Sequence, residues 1–247
     1  MGYQVGILPV LLDWGLVVHE VPGWRTRGSS DFDPRGHVIH HDVVPDQSGD
    51  SDRIPGIIVA GRSDLPGPLA NFWLERDGDV HLCAAGRANH AGEGGWNGLS
   101  GNSTVWGTEA NNLGTPADPW PDEQLAAWYR LCAATCEFSG FAPAMVAAHR
   151  EWAPGRKIDP HTLDMDAFRR SVAEQRKDPI IFQEDIQMLL QLKGKPALFV
   201  DGLPHLVPGS LVPAYLKGRE TGLVELPKTP VGRGHYEKVA ALVAANN

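Results

Sequence analysis

Cysteine is scarce in this chain, with only Cys83, Cys132 and Cys136 among 247 residues. A small odd count makes a poor disulfide framework and suits a chain made in a reducing compartment. Long apolar runs are missing too. The longest, "GILPVLLDWGLVV" and "VAALVAA", are broken by Pro9, Asp13 and small residues, short of the ~18 uninterrupted apolar residues that read as a membrane span. The first positive charge is Arg25, so the start lacks a basic n-region and no Sec-type signal peptide is expected. Basic residues are outnumbered, 22 Lys and Arg against 30 Asp and Glu, for a net charge of −8. The imbalance lies wholly before residue 178, where 15 basic residues face 23 acidic ones, while residues 178–247 hold seven of each. An acidic region without a basic stripe excludes nucleic acid as the expected partner, because phosphate binding draws on clustered Lys and Arg.

Two further absences divide the chain. All eight tryptophans precede residue 153, and the polar run "AEQRKDP" ends at Pro179; together they predict a boundary near 175–180, with one domain over 1–177 and a small module over 178–247. At 42% hydrophobic and 21% charged residues, the first part can bury a full core at ~150 residues per domain. Its 28 glycines and 20 prolines, counted over the whole chain, point to a loop-rich α/β or α+β domain in place of a helical bundle.

The elements follow from period and punctuation. "PVLLDWGLVVHEVPGW" is a helix-like or loop prelude, "HVIHH" a strand, and "DVVPDQSGDSDRIPG" a long polar loop. "NFWLERDGDVHLCA" is a hairpin around Asp77-Gly78, and "STVWGTEANN" a strand ending in a polar corner. "PWPDEQLAAWYRLCAATCEFSG" is a helix opened by Pro121 with acidic residues and stopped at Gly140. "AMVAAH" is a short buried segment, and "DMDAFRRSVAEQ" a closing helix with Asp164 or Asp166 at its N-cap. A sheet covered by helices is expected, with functional residues at strand ends and loops.

The chemistry-bearing residues are the histidines and their neighbours. Ten histidines occur, and most have plain readings: His19, His37 and His161 sit in polar surroundings, and His81 lies on a strand beside Leu82. Cys132 and Cys136, four apart on a helix, share a face with Leu125 and read as buried small hydrophobes before metal ligands. "AHREWAPGRKIDP" is different. It sets His149, Lys157 and Asp159 on either side of a Pro154-Gly155 turn that can fold the carboxylate back toward the imidazole. Before position 178 only Lys157 and Lys177 are lysines; in that arginine background Lys157 offers a compact point charge able to stabilise an oxyanion.

Taken together, "VIHHD", "ANHAGEGGW", "GNSTVWGTEANN" and "AHREWAPGRKIDP" resemble the type-2 N-acetylmuramoyl-L-alanine amidase family, which shares a fold with peptidoglycan recognition proteins. The likeness spans roughly residues 14–170 and is nearest to amidase domains of endolysins from phages of actinobacteria. It implies an α/β fold with a central mixed β-sheet flanked by helices, followed here by a small C-terminal α+β extension. It further implies zinc held by His40, His149 and Asp159, with Glu109 as general base and Lys157 stabilising the oxyanion. Two imidazoles, one carboxylate and an open position suit a catalytic zinc. His90 and Trp96 are expected to line the substrate groove, where glycines permit close approach. The expected partner is bacterial peptidoglycan, without membrane insertion, and the expected location is the host cytoplasm until the membrane is breached. A binding-only recognition protein and a zinc peptidase cutting the stem peptide are the competing readings.

The chain departs from the family at two places. Asp42 follows the histidine pair where Thr or Ser is common, bringing a negative charge toward the expected metal as a second-layer hydrogen-bond partner. Val105, Trp106 and Thr108 are bulkier or more polar than the usual strand before the glutamate. In the C-terminal module, expected to be a wall-binding or docking element, His205 and His235 read as surface residues.

Overall fold

Short runs of β-branched and aromatic residues, cut by glycine and proline turns, give the described residues many brief strands and few helices. The computed structural model describes residues 2–43 and 54–175. Most of the polar loop and the whole of the module expected over 178–247, His205 and His235 included, lie outside the described residues. The elements in order are α1 (Ile7–Asp13), β1 (Val18–Glu20), β2 (His37–His41), β3 (Gly61–Arg62), β4 (Leu65–Pro66), β5 (Phe72–Leu74) and β6 (Val80–Leu82). They continue with β7 (Gly95–Trp96), β8 (Leu99–Ser100), β9 (Trp106–Ala110), α2 (Asp122–Ser139), β10 (Val146–Ala148), α3 (His149–Trp152) and α4 (Met165–Glu174).

Six strands form one mixed sheet in the order β1-β6-β5-β9-β2-β10. The pairs β1/β6, β5/β9, β9/β2 and β2/β10 are parallel, and β5/β6 is the antiparallel hairpin expected around Asp77-Gly78. Gly78 turns there with φ of 90°, a conformation that suits glycine. The central strand β2 is buried along its full length, as a strand covered on both faces must be.

Alternation assigns the faces of β2. His37 lies on the face covered by α2, where its Nδ1 meets Thr135 Oγ1 at 2.9 Å. Pro121 precedes α2, Asp122 and Glu123 occupy its first turn, and Gly140 ends it at φ 70° with its N–H donated to Cys136 O. Its buried residues include Trp128, Leu131, Cys132 and Cys136, so both cysteines are core residues as the spacing predicts. In α4, which packs on α2, Asp164 caps by accepting from the N–H groups of Asp166 and Ala167. Phe168 sits edge-on to Trp128 and Tyr129, at 5.5 and 4.9 Å between centroids.

On the opposite face Val38, Ala91, Leu99, Val105, Trp152 and Ala153 form a buried cluster. Each large apolar side chain buried this way contributes about 1.5–3 kcal/mol relative to exposure. His37 is not in polar surroundings, as its sequence neighbours suggest, but wholly buried. It is satisfied there because its second nitrogen meets Thr108 Oγ1 at 2.7 Å. The prelude also contains a strand, β1, that its mixed residues did not announce.

Candidate metal centre and active site

Three adjacent parallel strands bring the site together at their carboxyl ends, where open α/β sheets place ligands. In register His40 of β2 lies beside Glu109 of β9, and Ile39 lies beside Ala148 of β10, the residue before His149. His149 opens α3, and the chain then turns through 154–157, where Ala153 O accepts the N–H groups of both Arg156 and Lys157. Arg150 N–H is donated to Asp159 O at 2.8 Å, which returns Asp159 to His149. The short α3 is itself braced, since Glu151 accepts from Ala148 N–H and from both guanidinium nitrogens of Arg169 at 2.9 and 3.1 Å.

The donor atoms of the expected ligands converge. His40 Nδ1 and His149 Nδ1 are 2.8 Å apart, and Asp159 Oδ2 lies 3.1 and 3.0 Å from them. Among the described residues this is the one group of three or more such side chains close enough to hold a metal ion. The outer contacts decide the tautomer. His149 Nε2 faces Ala91 O at 2.9 Å, and a carbonyl only accepts, so in the neutral imidazole that nitrogen carries the proton and Nδ1 the lone pair. Burial lowers His40 to about 4, a shift that its contact with Asp159 opposes and His149 reinforces, so its ring is neutral near pH 7. Burial works against ionisation of Asp159, yet the two imidazoles beside it outweigh burial and hold the carboxyl well below its usual range, so it faces them as a carboxylate.

A carboxylate and imidazole lone pairs crowded within about 3 Å repel unless a cation lies between them. Zinc, with bonds of about 2.0–2.2 Å to nitrogen and oxygen, separates tetrahedral ligand atoms by about 3.3–3.6 Å, so the three donors would open by a few tenths of an ångström around it. The donor set and its spacing therefore fit such an ion.

Glu109 lies on the open side of this triangle, its Oε1 4.0 Å from His40 Nδ1 and its side chain 19% exposed. Its Oε2 is buried without a hydrogen-bond partner. Burial, then the charges of Asp159 and Asp42, push this carboxyl well above its usual range, against the pull of Lys157 and Arg62. Lys157 is half-buried, and its charge reaches both Glu109 and His40. Asp42 accepts from Trp73 Nε1, Asn111 Nδ2 and the N–H of Asn112, at 3.3–3.4 Å, and so ties the ends of β2 and β9 together. The bulk of Trp106 and Thr108 does not disturb Glu109. Both side chains point to the α2 face, where Trp106 Nε1 donates to Ser139 Oγ and Thr108 meets His37.

His90 and Trp96 sit differently from the expected groove lining. His90 is buried, its Nδ1 3.0 Å from His40 Nε2 and its Nε2 3.3 Å from Val105 O, so the ring stands behind His40. Its place depends on Gly107, where a Cβ would lie 2.5 Å from the imidazole. Trp96 is half-buried against the Val38 cluster, donates to Ala144 O at 2.9 Å and carries the Arg169 guanidinium 5.3 Å above its ring. His41 points away from the triangle and accepts the N–H of His161 at 3.2 Å, which pins the chain two residues beyond Asp159. The sequence signals that could have found these braces are weak: a histidine before Ala-Gly, and a glycine two residues before Glu109.

A family model described as N-acetylmuramoyl-L-alanine amidase matches residues 30–162. No curated protein matches the sequence. Similar solved structures include the endolysin N-acetylmuramoyl-L-alanine amidase LysCS from Clostridium intestinale URNW, 17% identical, covering 63% of this chain and 95% of its own, with a TM-score of 0.45. AmpD is 22% identical, covering 65% and 97%, at a TM-score of 0.45. A mutant endolysin from Bacillus subtilis is 15% identical, covering 64% and 99%, at 0.46.

Proposed function

Because the chain belongs to the N-acetylmuramoyl-L-alanine amidase family, whose model matches residues 30–162, we propose that it is a zinc-dependent amidase of the phage endolysin type. It hydrolyses the amide joining N-acetylmuramic acid to L-alanine in peptidoglycan, and so opens the wall for lysis. The observation that carries this reading is the convergence of His40, His149 and Asp159 beside a carboxyl with one buried, unpartnered oxygen.

His40, His149 and Asp159 hold the ion, and zinc bound there supplies Lewis acidity and lowers the pKa of water to near neutrality. Glu109, whose surroundings raise its proton affinity, takes the proton of the attacking water and delivers it to the leaving alanine nitrogen. Lys157 places its ammonium near the charge that develops on the carbonyl oxygen. The 178–247 module serves wall binding, and the protein waits in the host cytoplasm until the membrane is breached.

Mass spectrometry of digested walls tests the reaction. New N-terminal alanine on intact stem peptides is expected. Cleavage within the stems would replace the amidase with a peptidase, and no release by zinc-loaded protein would leave a binding-only role.

A further inference from the structure

We infer that the dipeptide His90-Ala91, clamped by Asn102, is the positioning element that sets both ligand imidazoles in the tautomer with a bare Nδ1. This rests on the metal reading proposed above and goes beyond it, since none of the three residues is a ligand.

The geometry is a pair of one-way chains. Val105 O can only accept, so His90 Nε2, 3.3 Å away, carries the proton of that bond. The ring is buried, and with one proton, placed on Nε2, its Nδ1 is left as the acceptor of its other contact. His40 Nε2, 3.0 Å from that Nδ1, must then be the donor, and the lone pair of His40 falls on Nδ1, inside the triangle. The neighbouring residue does the same for the second ligand, because Ala91 O takes the proton of His149 Nε2 at 2.9 Å. One side chain holds this dipeptide, as Asn102 Oδ1 accepts the N–H groups of His90 and Ala91 at 3.3 and 2.8 Å. Arg156 adds a donor to Ala91 O at 3.1 Å. A single clamp therefore aims both imidazoles, and Gly107 leaves the space in which the His90 ring lies.

A packing role alone would ask only for a ring of this size. His90→Phe keeps the ring and removes the acceptor, whereas His90→Gln retains a carbonyl that can accept from His40. Outer hydrogen-bond partners of ligands typically contribute 10–100-fold in metal affinity. In competition against a chromogenic chelator, zinc affinity should fall 10–100-fold in His90→Phe and recover most of that loss in His90→Gln. Long-range proton–nitrogen NMR of the metal-free protein should show His40 protonated at Nε2 in the wild type and mixed in His90→Phe. If His90→Phe does not fold, Asn102→Ala, which deletes the clamp but neither ring, should show the same weakening. Unchanged zinc affinity with unchanged His40 tautomer overturns the inference, as does a loss that His90→Gln and His90→Phe share equally. If the wild type binds no zinc, the metal reading fails on its own, and the tautomer of His40 in that protein still decides the role of His90.

Discussion

Replacing Glu109 with glutamine removes the ability to take a proton while leaving the volume and one carbonyl oxygen in place. The carboxyl stands 4.0 Å from His40 Nδ1, outside the 2.8–3.1 Å triangle of donors, so the change should not cost zinc. It should cost turnover. A positioned general base contributes typically 10²–10⁴-fold, or about 3–5 kcal/mol of barrier at 1.36 kcal/mol per decade. Stability moves the other way. The folded protein holds Glu109 protonated more strongly than the unfolded chain does, so ionisation opposes folding as pH rises above the unfolded carboxyl value. The metal-free Glu109→Gln variant should therefore melt higher than metal-free wild type at neutral pH. Release of alanine-terminated peptides from purified walls, bound zinc by elemental analysis and thermal melts make the three readouts. Wild-type turnover at full zinc occupancy would refute the assignment of the base, and loss of zinc along with turnover would make Glu109 a ligand.

His149→Ala removes one corner of the triangle and should abolish zinc retention through gel filtration; full occupancy would take His149 out of the site. Gly107→Ala drives a Cβ to 2.5 Å from the His90 ring and, as an overpacked site, should cost about 1–3 kcal/mol in urea melts; wild-type stability and zinc affinity together would show that the ring moves freely. Burial lowers His37 to about 3, with His40 adding to the shift, so its neutral form costs stability as pH falls below 6.5, where the unfolded imidazole takes up a proton. The contribution should be about 1.4 kcal/mol per pH unit between 6.5 and the folded value, and a flat urea midpoint over that window would contradict it. Cys83 and Cys136 are pushed by burial to about 12 and Cys132 well above its usual value; a chromogenic thiol reagent should find no fast-reacting cysteine before denaturant is added.

What could be read from the sequence was what local signals encode. β2, the β5/β6 hairpin, β9 and α2 each carry their own period and stop signals within a few residues, as does the turn that joins His149 to Asp159. β1 was not legible, because Val18–Glu20 is three residues long and largely solvent-facing, and its pairing with Val80–Leu82 lies in a distant part of the chain. His37 looked polar because its satisfaction comes from Thr108 and Thr135, 71 and 98 residues away. The contact of His90 was hidden for the same reason: its partner His40 is 50 residues back, and nothing local distinguishes a ring packed behind another imidazole from one facing a groove. The three side chains that converge, His40, His149 and Asp159, were nameable through family resemblance, with the last two also marked by their spacing, whereas the hydrogen bonds that orient them arise only when the strands are paired.

The central claim is that His40 and His149 meet an ion through Nδ1, beside Asp159. Anomalous diffraction at the zinc edge, on crystals of zinc-loaded protein, tests it most directly. One strong peak in contact with both Nδ1 atoms and the Asp159 carboxylate is expected. A peak at the Nε2 atoms, or none among these three side chains at full zinc loading, would contradict it.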